Sequence, residues 1–356
     1  MIPKYQIITD WITEQIAKGA FSFGAKLPSE NELAKKFNMS RQTVRHAIDI
    51  LEFNKVVVRV KGNGTYLNKQ GRVKREKSNK NIAVVSTYID NYVFPPILGG
   101  IERILSDRGY TIQIAFTENR AFKEREVLQG LAENENVDGL IIEPAKSALP
   151  NINIDLYDKL EEKHMPVLLF NCSQAELKFP CVALDDRLIG YKCVKYLINA
   201  GHRKICGIFK SDDSQGHLRY EGFIKGLKEN GIDEEDIIWV DTDSIEKMEY
   251  IEDYIYNGLK GKTGLVCYND QIAYKIAALC QRKGINIPED LSVIGVDHLE
   301  QIAETDLKIT SFPHPLEALG VKAAENMLKM IESPVFDGNY LFDTEVEERE
   351  SVRFLK

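Results

Sequence analysis

From Ile82 onward the chain alternates between short apolar runs and longer amphipathic stretches, and nothing else in the sequence narrows the possible folds as much. The runs are "IAVVST", "TIQIAF", "DGLIIE", "PVLLFN", "KICGIF", "IIWV", "TGLVCY" and "LSVIGV". An unbroken apolar run is what a strand needs when both of its faces are covered, as in a parallel sheet. Between the runs lie helical segments such as "PILGGIERILSDRG", "LIGYKCVKYLINAG", "RYEGFIKGLKENG" and "DQIAYKIAALCQRKG", several of them closing on the glycine expected at a helix C-terminus. Strands alternating with helices imply right-handed βαβ units. The expected class is therefore α/β with doubly wound parallel sheets, and eight strands suffice for one such sheet or for two smaller ones.

The first 80 residues differ in charge and in pattern. They hold 16 Lys and Arg against 7 Asp and Glu, a formal +9, whereas the rest of the 356-residue chain carries −17 and the whole −8. A small basic piece joined to a large acidic one points to a polyanion or membrane partner for the first piece only. Ile7, Ile8, Trp11, Ile12, Ile16 and Ala17 follow helical spacing in a segment that ends at Gly19. In "LPSENELAKKFNM", Ser29 and Glu32 form an S-x-x-E capping box that opens a second helix. After the short turn "NMS", Ser40 caps a third helix with an apolar face of Val44, Ala47, Ile48 and Leu51, which makes a helix-turn-helix. Arg41, Gln42 and Arg45 occupy its other face near the N-terminus, the end that reaches base edges in the major groove. Arginine offers a fork for guanine and glutamine a matching pair for adenine. "VVVRVKGNGTYL" then reads as a hairpin bearing Arg59 and Lys61, with Asn63-Gly64 supplying the positive φ of its turn.

Residues 69–81 have almost no apolar content and read as a linker, so the expected domains are 1–68, the linker, and 82–356. All six cysteines lie in the acidic part, none in a C-x-x-C pattern and most inside apolar runs, which suits buried free thiols rather than disulfides or zinc. "MIPKYQIITD" has no signal-peptide pattern and no apolar run is long enough to span a membrane, so the cytoplasm is the expected compartment.

Enzyme chemistry lacks its tools here. "GKT" at 261–263 has no glycine at the required upstream position and precedes its strand instead of following one. No G-x-G-x-x-G follows the first strand, no H-E-x-x-H or G-x-S-x-G occurs, and the histidines show no metal-ligand spacing. Neither a cofactor nor a metal is expected. In open α/β sheets ligands gather at the carboxyl ends of the strands. Tyr88, Asn171, Asn269, Asp270 and Asp297 stand there, a mixture of aromatic, amide and carboxylate groups suited to a polyhydroxylated ligand. Asn269, Asp270 and Asp297 are equally well placed to be helix N-caps, and Tyr88 to be plain packing.

"LPSENELAKKFNMSRQTVRHAIDIL…KGNGTYL" closely resembles the GntR-type winged helix-turn-helix over about 65 residues. That resemblance implies base or phosphate contacts for Arg41, Gln42 and Arg45, a backbone contact for Thr43 and a phosphate contact for Lys4. It places Glu30 at the groove and Lys61, Gly62 and Gly64 on the wing. An acid in the first turn of a helix is favourable for its dipole alone, so Glu30 has that second explanation. The stretches "HLRYEGF", "CYNDQIAYKIAALCQRKGINIPEDLSVIGVDHLE" and "LKITSFPHPLEALGVKAAENML" look like the effector-binding region of LacI/GalR-type repressors. This second likeness covers nearly all of 82–335 and implies two lobes of the type I periplasmic-binding-protein kind with a ligand between them. Carried over by position, Arg219, Asn269 and Asp297 become the leading ligand contacts, followed by Asn171, Tyr88 and His314. "SFPHPLEALG" departs from the usual pattern at His314 and its flanking prolines. The pairing of these two parts, with the start "MIPKY", resembles arabinose-responsive repressors of spore-forming and related bacteria. It implies a homodimer on double-stranded palindromic operator DNA with L-arabinose as effector. A different pentose, a hexose or another small metabolite is the alternative.

Overall fold

The computed structural model describes residues 3–17, 20–21, 24–53, 56–60, 63–68, 79–89, 92–134, 136–299, 307–333 and 336–355. The head comprises α1 (Lys4–Ala17), α2 (Glu30–Phe37), α3 (Arg41–Phe53) and a hairpin of β1 (Val57–Val60) and β2 (Gly64–Leu67). Its core is Ile8 and Ile12 of α1, Leu33 of α2, and Val44, Ala47, Ile48 and Leu51 of α3. These are the positions that helical spacing brings to one side. Val60 pairs with Gly64, and the positive φ falls on Gly64 (119°) rather than on Asn63. Gly19, Lys61 and Gly62 lie outside the described residues.

The remainder forms two lobes. The chain runs through β3 (Asn81–Ser86), α4 (Phe94–Asp107), β4 (Thr111–Phe116), α5 (Ala121–Glu133), β5 (Gly139–Ile142), α6 (Ile154–Glu162), β6 (Val167–Phe170) and β7 (Cys181–Leu184). It then crosses to build α7 (Asp186–Asn199), β8 (Ile205–Lys210), α8 (Ser214–Lys228), β9 (Asp236–Val240), α9 (Thr242–Glu246), α10 (Glu252–Leu259), β10 (Gly264–Cys267), α11 (Asp270–Lys283), β11 (Ser292–Asp297) and β12 (Thr310–Pro313). It returns for α12 (Leu316–Glu332) and β13 (Tyr340–Phe342), and a last segment goes back to the second lobe, where Ser351 accepts from the Val293 amide. The first sheet has the order β13-β7-β6-β5-β3-β4 and the second β12-β11-β10-β8-β9. Every pairing within them is parallel.

Each sheet is covered on both faces, and this explains the apolar runs. In β3, Ile82 and Val84 join the cluster under α4 and α12, while Ala83 and Val85 join the one under α5 and α6. Cys206 and Ile208 of β8 likewise face one way, and Ile205 and Phe209 the other. All eight expected runs are strands. Three short strands, β7, β12 and β13, carried no comparable signal.

Candidate functional site

In the head, local chemistry sets the reading face. The Ser29–Glu32 capping box forms as expected, and Asn38 takes the left-handed conformation that turns the chain between α2 and α3. Ser40 Oγ accepts from the Thr43 amide at 3.1 Å and meets the Thr43 hydroxyl at 2.8 Å. With Val44, Ala47, Ile48 and Leu51 buried, Arg41, Gln42 and Arg45 are left exposed. Together with Lys4, Glu30 and Thr43 they line one concave surface of about 1000 Å³. Tyr5 and His46, stacked edge-on at 4.7 Å, line it as well, although neither was expected on this surface from the sequence. Gly64 is not part of this surface. Arg59, expected on the hairpin as a basic decoration, is instead held by Asp49 (2.5 Å) and Glu52 (2.8 Å), with Glu30 at 3.5 Å. Its charge answers three carboxylates of the head.

The second site lies between the lobes, where both sheets present their carboxyl ends. The cavity measures about 320 Å³. Tyr88, Asn171, Arg219, Asn269, Asp297 and His314 all line it, so the six ligand candidates come together in one place. Asp270 does not join them. It is buried behind the cleft, accepting from the Ser311 hydroxyl and the Leu299 amide at 2.8 Å each. The Asn269 amide has two jobs: Oδ1 caps α11 through the Ile272 amide at 3.0 Å, and Nδ2 donates to the Tyr92 hydroxyl at 3.2 Å. Tyr92, from the first lobe, donates that hydroxyl to Asp297 of the second.

Arg219 stands where α8 packs against α7. A Cβ on Gly190 would sit 2.0 Å from the Arg219 carbonyl oxygen, so this close approach requires glycine. The guanidinium donates to Asp186 at 2.8 Å and to the Tyr268 carbonyl, and is buried. Burial pulls its pKa down, but Asp186 and Asp297 outweigh that and it stays charged. Burial raises the Asp186 carboxyl, with Arg219 opposing. Lys210 follows the same logic: burial lowers it, and Asp213, at 2.5 Å, with Asp212 more than compensates. Glu143 is the unusual acid. Burial pushes it up to about 7, although the Thr87 and Asn171 side chains donate to it, the latter at 2.6 Å. His314 Nδ1 lies 3.4 Å from Asp297 Oδ1. Three buried lining atoms, Asn171 Oδ1, Gln215 Oε1 and His314 Nε2, have no hydrogen-bond partner among the described residues.

Glu143, Lys210, Asp213 and Gln215 were missed, although they lie at or shortly after the carboxyl ends of recognised strands. The rule that found Asn171 would have found them too. All six cysteines are buried and unpaired. Among the described residues no His/Cys/Asp/Glu group is arranged to hold a metal, and no helix is long and apolar enough to cross a membrane.

Residues 4–67 match the family described as bacterial regulatory proteins, gntR family, and residues 194–352 match the periplasmic binding protein-like domain. The chain is 33% identical to the arabinose metabolism transcriptional repressor of Geobacillus stearothermophilus, over 99% of this chain and 98% of that one. It is 37% identical to the protein of the same name in Halalkalibacterium halodurans, over 93% and 90%. Among solved structures, a LacI family transcriptional regulator from Enterococcus faecium with bound ribose superposes with a TM-score of 0.65. The two are 26% identical, and the match covers 78% of this chain and all of that one.

Proposed function

The chain belongs to the family of non-enzymatic transcriptional repressors that join a GntR-type DNA-binding head to a periplasmic-binding-protein-like body, and from that premise we propose that it represses arabinose-utilisation genes and is released from its operator by L-arabinose. The observation that carries the sugar reading is the set of buried, unpartnered polar atoms on Asn171, Gln215 and His314. A buried acceptor without a partner costs about 1–3 kcal/mol. A ligand whose hydroxyls meet these atoms recovers that energy on binding. The cavity, about 320 Å³, stands at the small end of ligand pockets, which span roughly 300–1,000 Å³, and so suits one monosaccharide. Its cations favour a neutral sugar over a sugar phosphate, because Arg219 and Lys210 are already matched by Asp186 and Asp213.

In this reading residues 1–68 hold DNA, 69–81 connect, and 82–356 bind sugar and pair two copies in the cytoplasm, with no cofactor. Arg41, Gln42 and Arg45 read bases or hold phosphates. Lys4, Thr43, Glu30 and the wing residues Lys61, Gly62 and Gly64 set the docking. Two heads held by one dimer fit a palindrome whose half-sites lie one helical turn apart, about 34–36 Å. Closure of the lobes around sugar then changes how the bodies present the heads. Couplings of this kind amount to about 1–3 kcal/mol, or roughly 5–150-fold in affinity.

Calorimetry of the full chain against pentoses, hexoses and pentose phosphates tests the ligand. L-arabinose should bind tightest and the phosphates at least about tenfold more weakly; a preferred hexose or phosphate ester would replace this assignment. Arg45→Ala should weaken operator binding by about 1–3 kcal/mol and leave the sugar isotherm unchanged. Equal loss of both activities would refute the division of labour between head and body.

A further inference from the structure

A second set of residues joins the lobes beside the cavity, and of its members Asp213 and Thr242 also line it. Lys146, in the loop after β5, reaches across the cleft to place Nζ 2.5 Å from Asp212 Oδ2, in the loop after β8. The same carboxylate accepts from the Thr242 hydroxyl at 2.6 Å and the Thr242 amide at 3.2 Å. Asn119, after β4, ties these groups together. Its Oδ1 accepts from the Lys146 amide at 2.7 Å, and its Nδ2 lies 3.3 Å from both Asp213 Oδ1 and Thr242 Oγ1 on the opposite lobe. Next to the ion pair, the Ser214 amide donates to Ser147 Oγ at 2.9 Å and the Ala148 amide to the Asp212 carbonyl at 3.4 Å. Lys146, Asp212 and Asn119 are absent from the cavity lining.

The backbone marks this junction as well. Glu118, Asn119 and Lys146 have φ of 51°, 52° and 50°, in the left-handed region that residues with a Cβ seldom adopt. Such conformations persist where surrounding contacts over-determine them, and they concentrate at binding clamps and switches. Here the contacts that hold two of the three include the interlobe bonds themselves. The ion pair is also better shielded than an ordinary surface pair, with the Asp212 side chain 7% exposed and that of Lys146 29%. Opening the lobes would separate this pair.

We propose that Lys146, Asp212 and Asn119 form an interlobe clamp that sets the equilibrium between open and closed bodies, and with it the sugar concentration at which the operator is released. The clamp takes from the function proposed above the premises that sugar binds the closed body and that closure releases the operator. Apparent affinity for a closed-state ligand is the intrinsic affinity scaled by the closed fraction. A change in the clamp therefore moves the response to every sugar by one common factor. Residues that touch the ligand change the ranking of sugars instead.

The experiment uses the full-length protein and Lys146→Met. Without sugar, amide exchange at Ser214 and Ala148, whose N–H groups donate across the cleft, should quicken about fivefold or more. The concentration of L-arabinose, and of each other active pentose, that half-releases operator DNA should rise by about five- to tenfold, with the ranking unchanged. Lys146→Arg, which keeps the charge, should stay within about twofold of the parent in both assays. Should Lys146→Met not fold, Lys146→Gln removes the same charge with a polar tip and gives the same readouts. Unchanged exchange at Ser214 and Ala148 overturns the clamp, and so does a shift that differs between sugars. A parent protein deaf to every sugar overturns the ligand assignment, and the exchange rates then decide the clamp by themselves.

Discussion

Arg219→Ala is expected to destabilise the body by about 3–5 kcal/mol and to leave a repressor that sugar no longer releases. The size follows from what the side chain holds. Arg219 and Asp186 are both buried, and the guanidinium also donates to the Tyr268 carbonyl. Truncation strands Asp186 inside the lobe without its cation, and breaking a buried pair from one side costs far more than the pair contributes as a whole. Asp186, already raised by burial, then takes up a proton more readily, so the deficit should shrink as pH is lowered. Trp239 lies in the body and Trp11 in the head, so denaturant titrations followed at Trp239 in a Trp11→Phe background report on the body. Arg219→Lys keeps the charge but not the planar fork, and should fall between parent and alanine in stability while still losing sugar response. A stability loss below about 1 kcal/mol, or normal release by sugar, would remove Arg219 from the position assigned to it.

The second large effect is a pH dependence centred on Glu143. Its carboxyl ordinarily titrates at 4.5 and in the folded protein at about 7, because it is buried. The folded-state value lies above the unfolded one, so between the two the folded protein binds the extra proton. The resulting stabilisation is complete below about pH 4.5 and is lost as pH rises through 7, a change of about 3 kcal/mol. Glu143→Gln removes the titration. It also turns an amide toward Thr87 or Asn171, which adds an offset that does not vary with pH. The stability difference, parent minus Glu143→Gln, should therefore fall by about 3 kcal/mol between pH 4.5 and 8, mostly below 7. A flat difference would mean that Glu143 titrates normally and that water reaches it. Because Glu143 lines the cavity, sugar affinity should change over the same interval, and calorimetry at pH 6 and 8 measures this directly.

How much of this was legible in the chain depended on whether the signal was local. The Ser29 capping box and the Ser40 cap arise from contacts within four residues, and the buried face of α3 from a helical period of the same length, and all appear where spacing placed them. Most of the eight apolar runs were equally clear, since a strand buried on both faces shows no alternation to confuse with a helix; β4, at the sheet edge, has no buried residue and is the exception. Strand-end position also located Tyr88, Asn171, Asn269 and Asp297. Glu143 and Lys210 stand at the same strand ends and were passed over, because nothing local shows whether a charge there faces the cleft or solvent. Here the opposite lobe covers it.

By itself, then, the sequence determined the basic head, the helix-turn-helix, the α/β class and several of the polar groups of the cleft, because each rests on hydrogen bonds or periodicities spanning only a few residues. The apolar runs by themselves left one sheet or two open, and the tertiary structure shows two. β13, at residues 340–342, pairs with β7 at 182–184, and no local pattern announces a partner more than 150 residues away. The tertiary structure alone decided that Arg59 answers Asp49 and Glu52, and that Lys146 meets Asp212 across the cleft. Side-chain identity sets what a charge can do, and the packing of distant segments sets which charge it meets.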